Sequence, residues 1–323
     1  MKIAAAKNIA LAITFAFALQ CAAQKPNKNF KIVGYLMIGR NNSLAKAARL
    51  NFSALTHLNL AFINPDSTGN FKQNDALLQI TQLAHKNNVK VLMSFGGGDT
   101  QPYLTTFLAD DKRPAFIQQL MAILTKNDFD GIDVDLEGDA VDKNYSKFVT
   151  ELSAKLKAKH KLMTAAVGTW YGKGVTDSAL AKFDFVNIMS YDKTGPWEPG
   201  KPGQHSPYNM ALADIAYWHG ARGVAGNKLT LGVPFYGYGF GANNTTSDLN
   251  YRTLVNDYPG AETKDSLLLT NGQTGYYNGI PTIKAKTRLA MQQLGGVMIW
   301  ELSQDATGDL SLLKTIRDVE DGK

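Results

Sequence analysis

The run Phe129-Asp130-Gly131-Ile132-Asp133-Val134-Asp135-Leu136-Glu137-Gly138 places carboxylates at alternate positions. In a strand, side chains alternate faces, so Asp133, Asp135 and Glu137 project to one side and Ile132, Val134 and Leu136 to the other. With the apolar face packed against helices, the acids point inwards together. Crowding them in a low-dielectric interior raises at least one pKa, which yields a carboxylic acid still protonated near neutral pH. Such a group suits general acid catalysis. Glu137, the longest of the three and nearest the strand's carboxyl end, is the candidate acid. Asp130 is out of phase with them and reads as structural.

Two other readings of the run are weaker. Asp133 to Gly138 matches the start of a calcium loop, but position twelve would be Asn144 instead of Glu, and the interleaved Val and Leu belong to a buried strand. A solvent-facing acidic strand is disfavoured because parallel strands are rarely open to water.

The elements that would carry this run are legible as alternation. Strand-like segments are expected at 32–38, 57–63, 89–95, 131–137, 162–167, 185–191, 229–235 and 296–301. Helical patterns are expected at 75–88, 114–126, 142–160, 210–220, 282–294 and 310–319. Pro114 suits a first helical turn, where its missing N–H costs nothing. This arithmetic is that of a (β/α)8 TIM barrel, with at most a small insertion, 241–279, between strands 7 and 8. An open doubly wound sheet would normally carry a glycine-rich phosphate turn after its first strand, and Gly34-Tyr35-Leu36-Met37-Ile38-Gly39 is not one.

The 323 residues carry 44% hydrophobic and 19% charged side chains, a globular composition that can bury a full core. One cysteine excludes a disulfide framework and a cysteine-based zinc cluster. The five histidines, His57, His85, His160, His205 and His219, show no paired ligand spacing, so neither a metal nor a cofactor is expected, and His85 and His160 read as surface residues. The net charge of +6 is spread along the chain, which argues against a nucleic-acid partner. The densest basic run, Lys155, Lys157, Lys159 and Lys161, suits the negative end of a helix dipole. At the amino terminus, Lys2 and Lys7 precede the apolar run 9–19, followed by Cys21-Ala22-Ala23. Residues 1–23 read as a signal peptide and 24–323 as a single catalytic barrel, secreted or periplasmic. The competing pattern is a lipoprotein signal acylated at Cys21. The large Gln20 before it favours simple secretion.

The DGIDVDLE run resembles the DxxDxDxE signature of family-18 glycoside hydrolases, the chitinases and endo-β-N-acetylglucosaminidases. Ser94-Phe95-Gly96-Gly97 resembles their third-strand SxGG, Met189-Ser190-Tyr191-Asp192 their MxYD, Gly232 to Gly237 their GxPFYG, and Gly295 to Glu301 the eighth-strand segment ending in tryptophan. The resemblance covers nearly all of residues 24–323. It implies that the substrate's own acetamido oxygen is the nucleophile. Glu137 would protonate the leaving oxygen and then activate water; Asp135 would orient the acetamido group, Asp133 would tune its proton, and Tyr191 would hydrogen-bond the acetamido oxygen. Asp192 would bind the distorted sugar over a Trp300 floor. Tyr35, Phe62, Ser94 and Met189 are further candidates for substrate binding, and Trp197 for the leaving-group side, with Trp170 and Tyr171 adding wall.

Departures from the pattern bear on substrate. Gly98 stands where a tryptophan often follows SxGG, Tyr238 where an arginine is common, and Gly39-Arg40 where an aromatic is common. These thin the stacking platform, so soluble or short chitin oligosaccharides are expected in preference to crystalline chitin, with no attached carbohydrate-binding module. A monomeric secreted chitinase is the leading expectation. An endo-β-N-acetylglucosaminidase acting on N-glycans and a non-catalytic chitin-oligosaccharide-binding protein are the alternatives; Tyr191-Asp192 argues against the first and retention of Glu137 against the second.

Overall fold

A computed structural model describes residues 29–39, 42–98 and 102–323. The leader read at residues 1–23, Cys21 and Arg40 lie outside the described residues. The strands are β1 (Lys31–Met37), β2 (His57–Ala61), β3 (Lys90–Gly96), β4 (Gly131–Asp135), β5 (Leu162–Val167), β6 (Phe185–Ile188), β7 (Leu229–Pro234), β8 (Tyr236–Phe240), β9 (Thr246–Asn250), β10 (Ser266–Leu268), β11 (Thr274–Tyr276) and β12 (Gly296–Trp300). The α-helices are α1 (Ser43–Ala47), α2 (Ala76–His85), α3 (Arg113–Lys126), α4 (Tyr145–Lys157), α5 (Asp177–Leu180), α6 (Tyr208–Ile215), α7 (Tyr251–Asp257), α8 (Ile280–Gln293) and α9 (Leu312–Glu320).

Eight parallel strands close in the order β1-β12-β7-β6-β5-β4-β3-β2, as expected of a (β/α)8 barrel. Strand alternation sorts the apolar residues into two layers. Outward-facing residues such as Leu58, Met93, Ile132, Val134 and Val186 join the core shared with the helices. Tyr35, Ala166, Phe185 and Met298 fill the lumen. Helix α4 follows the same logic: Phe148, Val149, Leu152 and Leu156 form its buried stripe, and Lys155 and Lys157 sit in its last turn. His85 is less superficial than expected, because its Nε2 pairs with Asp130 at 2.8 Å across the base of β4.

The excursion after β7 is more ordered and starts earlier than expected. It begins at Tyr236 and forms a separate antiparallel sheet of four strands, β10-β11-β8-β9, with α7 inside it. Its strands are three to five residues long, and β9 is half-exposed along its length, so it carries no clean apolar alternation.

Candidate active site

The carboxylate run lies where β4 leaves the barrel, but β4 ends at Asp135, two residues short of the expected boundary. Its neighbour β3 turns away at that level. Gly96 and Gly97 adopt positive φ of 109° and 96°, and the Gly97 N–H donates to the Asp135 carbonyl at 2.7 Å. A side chain at Gly96 would collide with that carbonyl, so glycine is required there. Asn64 pins the turn from β2, its amide accepting from Gly96 N at 2.7 Å and donating to Gly96 O at 2.9 Å. Glu137 keeps extended backbone, φ −117° and ψ 155°, so the alternation continues past the last paired residue.

Asp133 is fully buried and saturated with donors. Strand register sets Ser94 of β3 and Thr164 of β5 on either side of it, and neighbours in register share a face of the sheet. Ser94 Oγ and Tyr35 OH donate to Oδ2 at 2.8 and 2.7 Å. Thr164 Oγ1 and Asn187 Nδ2 donate to Oδ1 at 2.5 and 3.3 Å. Burial pushes the Asp133 carboxyl above its ordinary value, and these hydroxyl donors pull against it. A cation at this position would have to displace all four donors, which removes the physical basis of the calcium-loop reading.

Asp135 has no such relief. Burial, then the charges of Glu137 and Asp133, hold its carboxyl well above the ordinary range, and its Oδ1 is buried with no protein partner. Tyr191 is also raised well above its usual value, first by burial and then by Asp135 and Asp192, so its hydroxyl remains a donor at every physiological pH.

Asp192 takes a left-handed conformation at φ 62°, which a short polar side chain tolerates. Tyr236 OH and Tyr238 OH of β8 donate to its Oδ1 at 2.6 and 3.0 Å, and His205 Nδ1 lies 3.3 Å away. The antiparallel sheet is therefore part of the site.

A cleft of about 810 Å3 opens at this mouth. Its walls include Asp135, Glu137, Tyr191, Asp192, Met189 and Trp197, and its floor is aromatic. Trp300 stacks on Phe62 with centroids 5.4 Å apart at 26°, and meets Tyr35 edge-on at 5.4 Å. The Ala61–Phe62 and Trp300–Glu301 peptide bonds beside these rings are cis. Asp133 and Ser94 lie beneath the cleft and do not line it. This corrects the placement of Ser94: its hydroxyl is fully buried on Asp133 and cannot reach a substrate. Among the described residues, no cluster of three or more His, Cys, Asp or Glu side chains is arranged to hold a metal ion.

Sequence reasoning missed Thr164, Asn187, Asn64, His205 and Tyr236. The available signal was a lone polar residue inside an apolar strand, as in Leu162-Met163-Thr164-Ala165-Ala166 and Phe185-Val186-Asn187-Ile188. Such a residue needs a buried partner.

A family model described as glycosyl hydrolases family 18 matches residues 31–305. The GH18 chitinase ChiB from the chitin utilization locus of Flavobacterium johnsoniae is similar in structure, with a TM-score of 0.82 and 36% identity over 90% of this chain and 94% of that one. A chitinase from Bacteroides thetaiotaomicron gives a TM-score of 0.76 and 30% identity over 90% of this chain and 96% of that one. An endochitinase of Brugia malayi is 32% identical over 58% of this chain and 45% of its own length. The chain spans about half the length of the curated relatives it matches. The motifs, the barrel and these likenesses agree: the chain belongs to family 18 of the glycosyl hydrolases.

Proposed function

We propose that the protein is a chitinase that hydrolyses β-1,4-linked N-acetylglucosamine chains by substrate-assisted, retaining catalysis. The observation that carries this reading is Glu137 at the edge of a cleft whose floor is Trp300 on Phe62 and whose wall holds Asp135 and Tyr191. A sugar ring seated on the Trp300 face brings its 2-acetamido group towards Asp135 and Tyr191. The acetamido oxygen attacks the anomeric carbon while Glu137 gives its proton to the departing glycosidic oxygen. Tyr191 donates to the acetamido oxygen and holds it in line. Positive charge then develops on the acetamido group. Asp135 and Asp133 meet it, with the protons that their crowding retains shared between them. Water, activated by the Glu137 carboxylate, opens the cyclic intermediate, and Glu137 recovers its proton. Asp192 hydrogen-bonds the ring in this reading, which its contacts with two tyrosines and His205 support.

Residues 1–23 are read in the same proposal as an export signal, with the enzyme acting outside the cytoplasm. The mass of the mature amino terminus tests this, and acylation of Cys21 would move the protein to the cell surface.

The decisive assay compares chitotetraose with a chitobiose-core N-glycopeptide, using the wild type and Glu137→Gln and resolving products by mass. Chitotetraose is cleaved, and Glu137→Gln lowers kcat about a thousandfold. Cleavage of the glycopeptide alone would reassign the substrate to N-glycans. Binding of chitotetraose without cleavage would overturn the enzymatic reading.

A further inference from the structure

Lysines that are scattered along the sequence meet at one end of the fold. In a parallel barrel every strand starts at the face opposite the catalytic mouth, and every helix returns the chain to that base. The return into β3 carries Lys86 and Lys90, that into β4 Lys126, that into β5 Lys157 and Lys159, and that into β6 Lys182. These four strands are consecutive around the barrel, so the lysines share one sector of its base. Lys182 is half-buried and the other five are exposed. Among the described residues, none of the six is in an ion pair.

The acids of the same sector are already engaged. Asp128 and Asp130 face His85 at 3.6 and 2.8 Å, and Asp184 Oδ2 accepts from Met163 N at 2.8 Å. The acidic end of α9 lies elsewhere on the base. It packs against α8 and the turn 52–54, and its Asp318, Glu320 and Asp321 pair with Lys314 and Arg317. Helix dipoles account for only part of the pattern. The ends of α2, α3 and α4 present roughly half a negative charge each, well short of the lysines gathered there. The surplus is felt inside the barrel, where burial first, then Lys90 and Lys31, push the His57 pKa down to about 4.

The chain that enters this face points to what would meet it. β1 starts at Lys31 on the same base, and the apolar run 9–19 and Cys21 precede it. From Cys21 to Lys31 a fully extended chain spans at most about 35 Å. A bilayer that the leader crosses, or that holds an acyl group at Cys21, therefore meets the base before it meets the mouth. Each lysine beside an anionic leaflet strengthens binding about fivefold, and headgroup phosphates supply the charge that the base lacks. We propose that the base is a membrane-facing surface that seats on anionic phospholipid and leaves the cleft open to the medium. The proposal is independent of which glycan the cleft cuts.

The test is co-sedimentation of the full chain with vesicles of phosphatidylglycerol and phosphatidylcholine, against vesicles of phosphatidylcholine alone. The leader is common to every variant, so the ratio of the two affinities reads the charged surface. Replacing Lys86, Lys126, Lys157 and Lys159 together by Gln is expected to lower that ratio about a hundredfold. A control that replaces Lys72, Lys143, Lys173 and Lys264 by Gln removes the same charge away from the base and is expected to change it less than about threefold. Both sets are exposed side chains without ion pairs. Trp170 and Trp197, 60% and 57% exposed at the mouth, report orientation: their emission stays unquenched on anionic vesicles carrying brominated acyl chains. A wild type indifferent to vesicle charge, a control that loses as much as the base variant, or quenched emission would each overturn the proposal. Capture by duplex DNA with none on anionic vesicles would overturn it in favour of a nucleic-acid partner. None of these outcomes bears on hydrolysis, which the chitotetraose assay decides separately.

Discussion

Asp135 shows how the site stores electrostatic cost in a single residue. Its carboxyl is buried, raised well above the ordinary value and unpartnered at Oδ1. A carboxyl whose folded pKa exceeds its unfolded value near 3.9 binds more protons folded than unfolded at pH values between the two, so this group subtracts stability as pH rises through that window. Asp135→Asn removes the titration and keeps the shape. The variant is expected to melt at a higher temperature than the wild type at pH 7, with the gain vanishing by about pH 4, as thermal unfolding at both pH values would record. Hydrolysis by the same variant is expected to fall at least about a hundredfold, since the amide cannot balance the charge on the acetamido group. A variant neither stabilised at pH 7 nor impaired would refute the assignment of a strained carboxyl.

Among the elements, α8 holds the site's back wall through a buried ammonium. Lys286 Nζ donates to Ser206 O at 2.7 Å, Ser206 Oγ at 2.6 Å and Asn278 Oδ1 at 2.7 Å. Ser206 Oγ in turn donates to Ser190 O at 2.6 Å, one residue before Tyr191, and Ser206 adjoins His205, which touches Asp192. One side chain thus ties α8, the approach to α6 and the end of the inserted sheet to the segment that follows β6. Burial lowers the Lys286 pKa to about 7, with Asp265 and Asp214 working against it. Lys286→Met leaves buried oxygens unpaired, a loss of about 3 kcal/mol that lowers the melting midpoint by about 5 °C. A depressed lysine pKa makes the unfolded chain bind more protons above pH 7, so the wild type's advantage is expected to widen from pH 7 to 9. A midpoint difference that narrows over that range would rule out the buried-ammonium account.

For the whole molecule, the cleft draws on nearly every barrel strand: Tyr35 from β1, Glu137 after β4, Tyr191 after β6 and Trp300 at the end of β12. A ligand bound there bridges the ends of strands far apart in sequence, and it binds only the closed barrel. With catalysis blocked by Glu137→Gln, chitotetraose at a hundred times its dissociation constant is expected to stabilise the fold by about 2.7 kcal/mol, about 4 °C in the melting midpoint. Scanning calorimetry across a concentration series checks this, and a midpoint indifferent to ligand would contradict binding in the native cleft.

From the sequence alone came the inward-facing acids at Asp133, Asp135 and Glu137, because strand periodicity is local and the interleaved Ile132, Val134 and Leu136 declare the opposite face. The alternation of strands and helices likewise announced the barrel, and the ordered motifs announced the family. Beyond its reach were the four donors around Asp133, since Tyr35, Ser94, Thr164 and Asn187 converge only through the register of a closed sheet. The tyrosines on Asp192 were equally hidden, because both arrive on β8, a buried strand of the antiparallel sheet that meets Asp192 only in the folded chain. Local side-chain alternation is a property of the chain itself. Which oxygen meets which hydroxyl is decided by closure of the barrel and by the sheet folded over its rim.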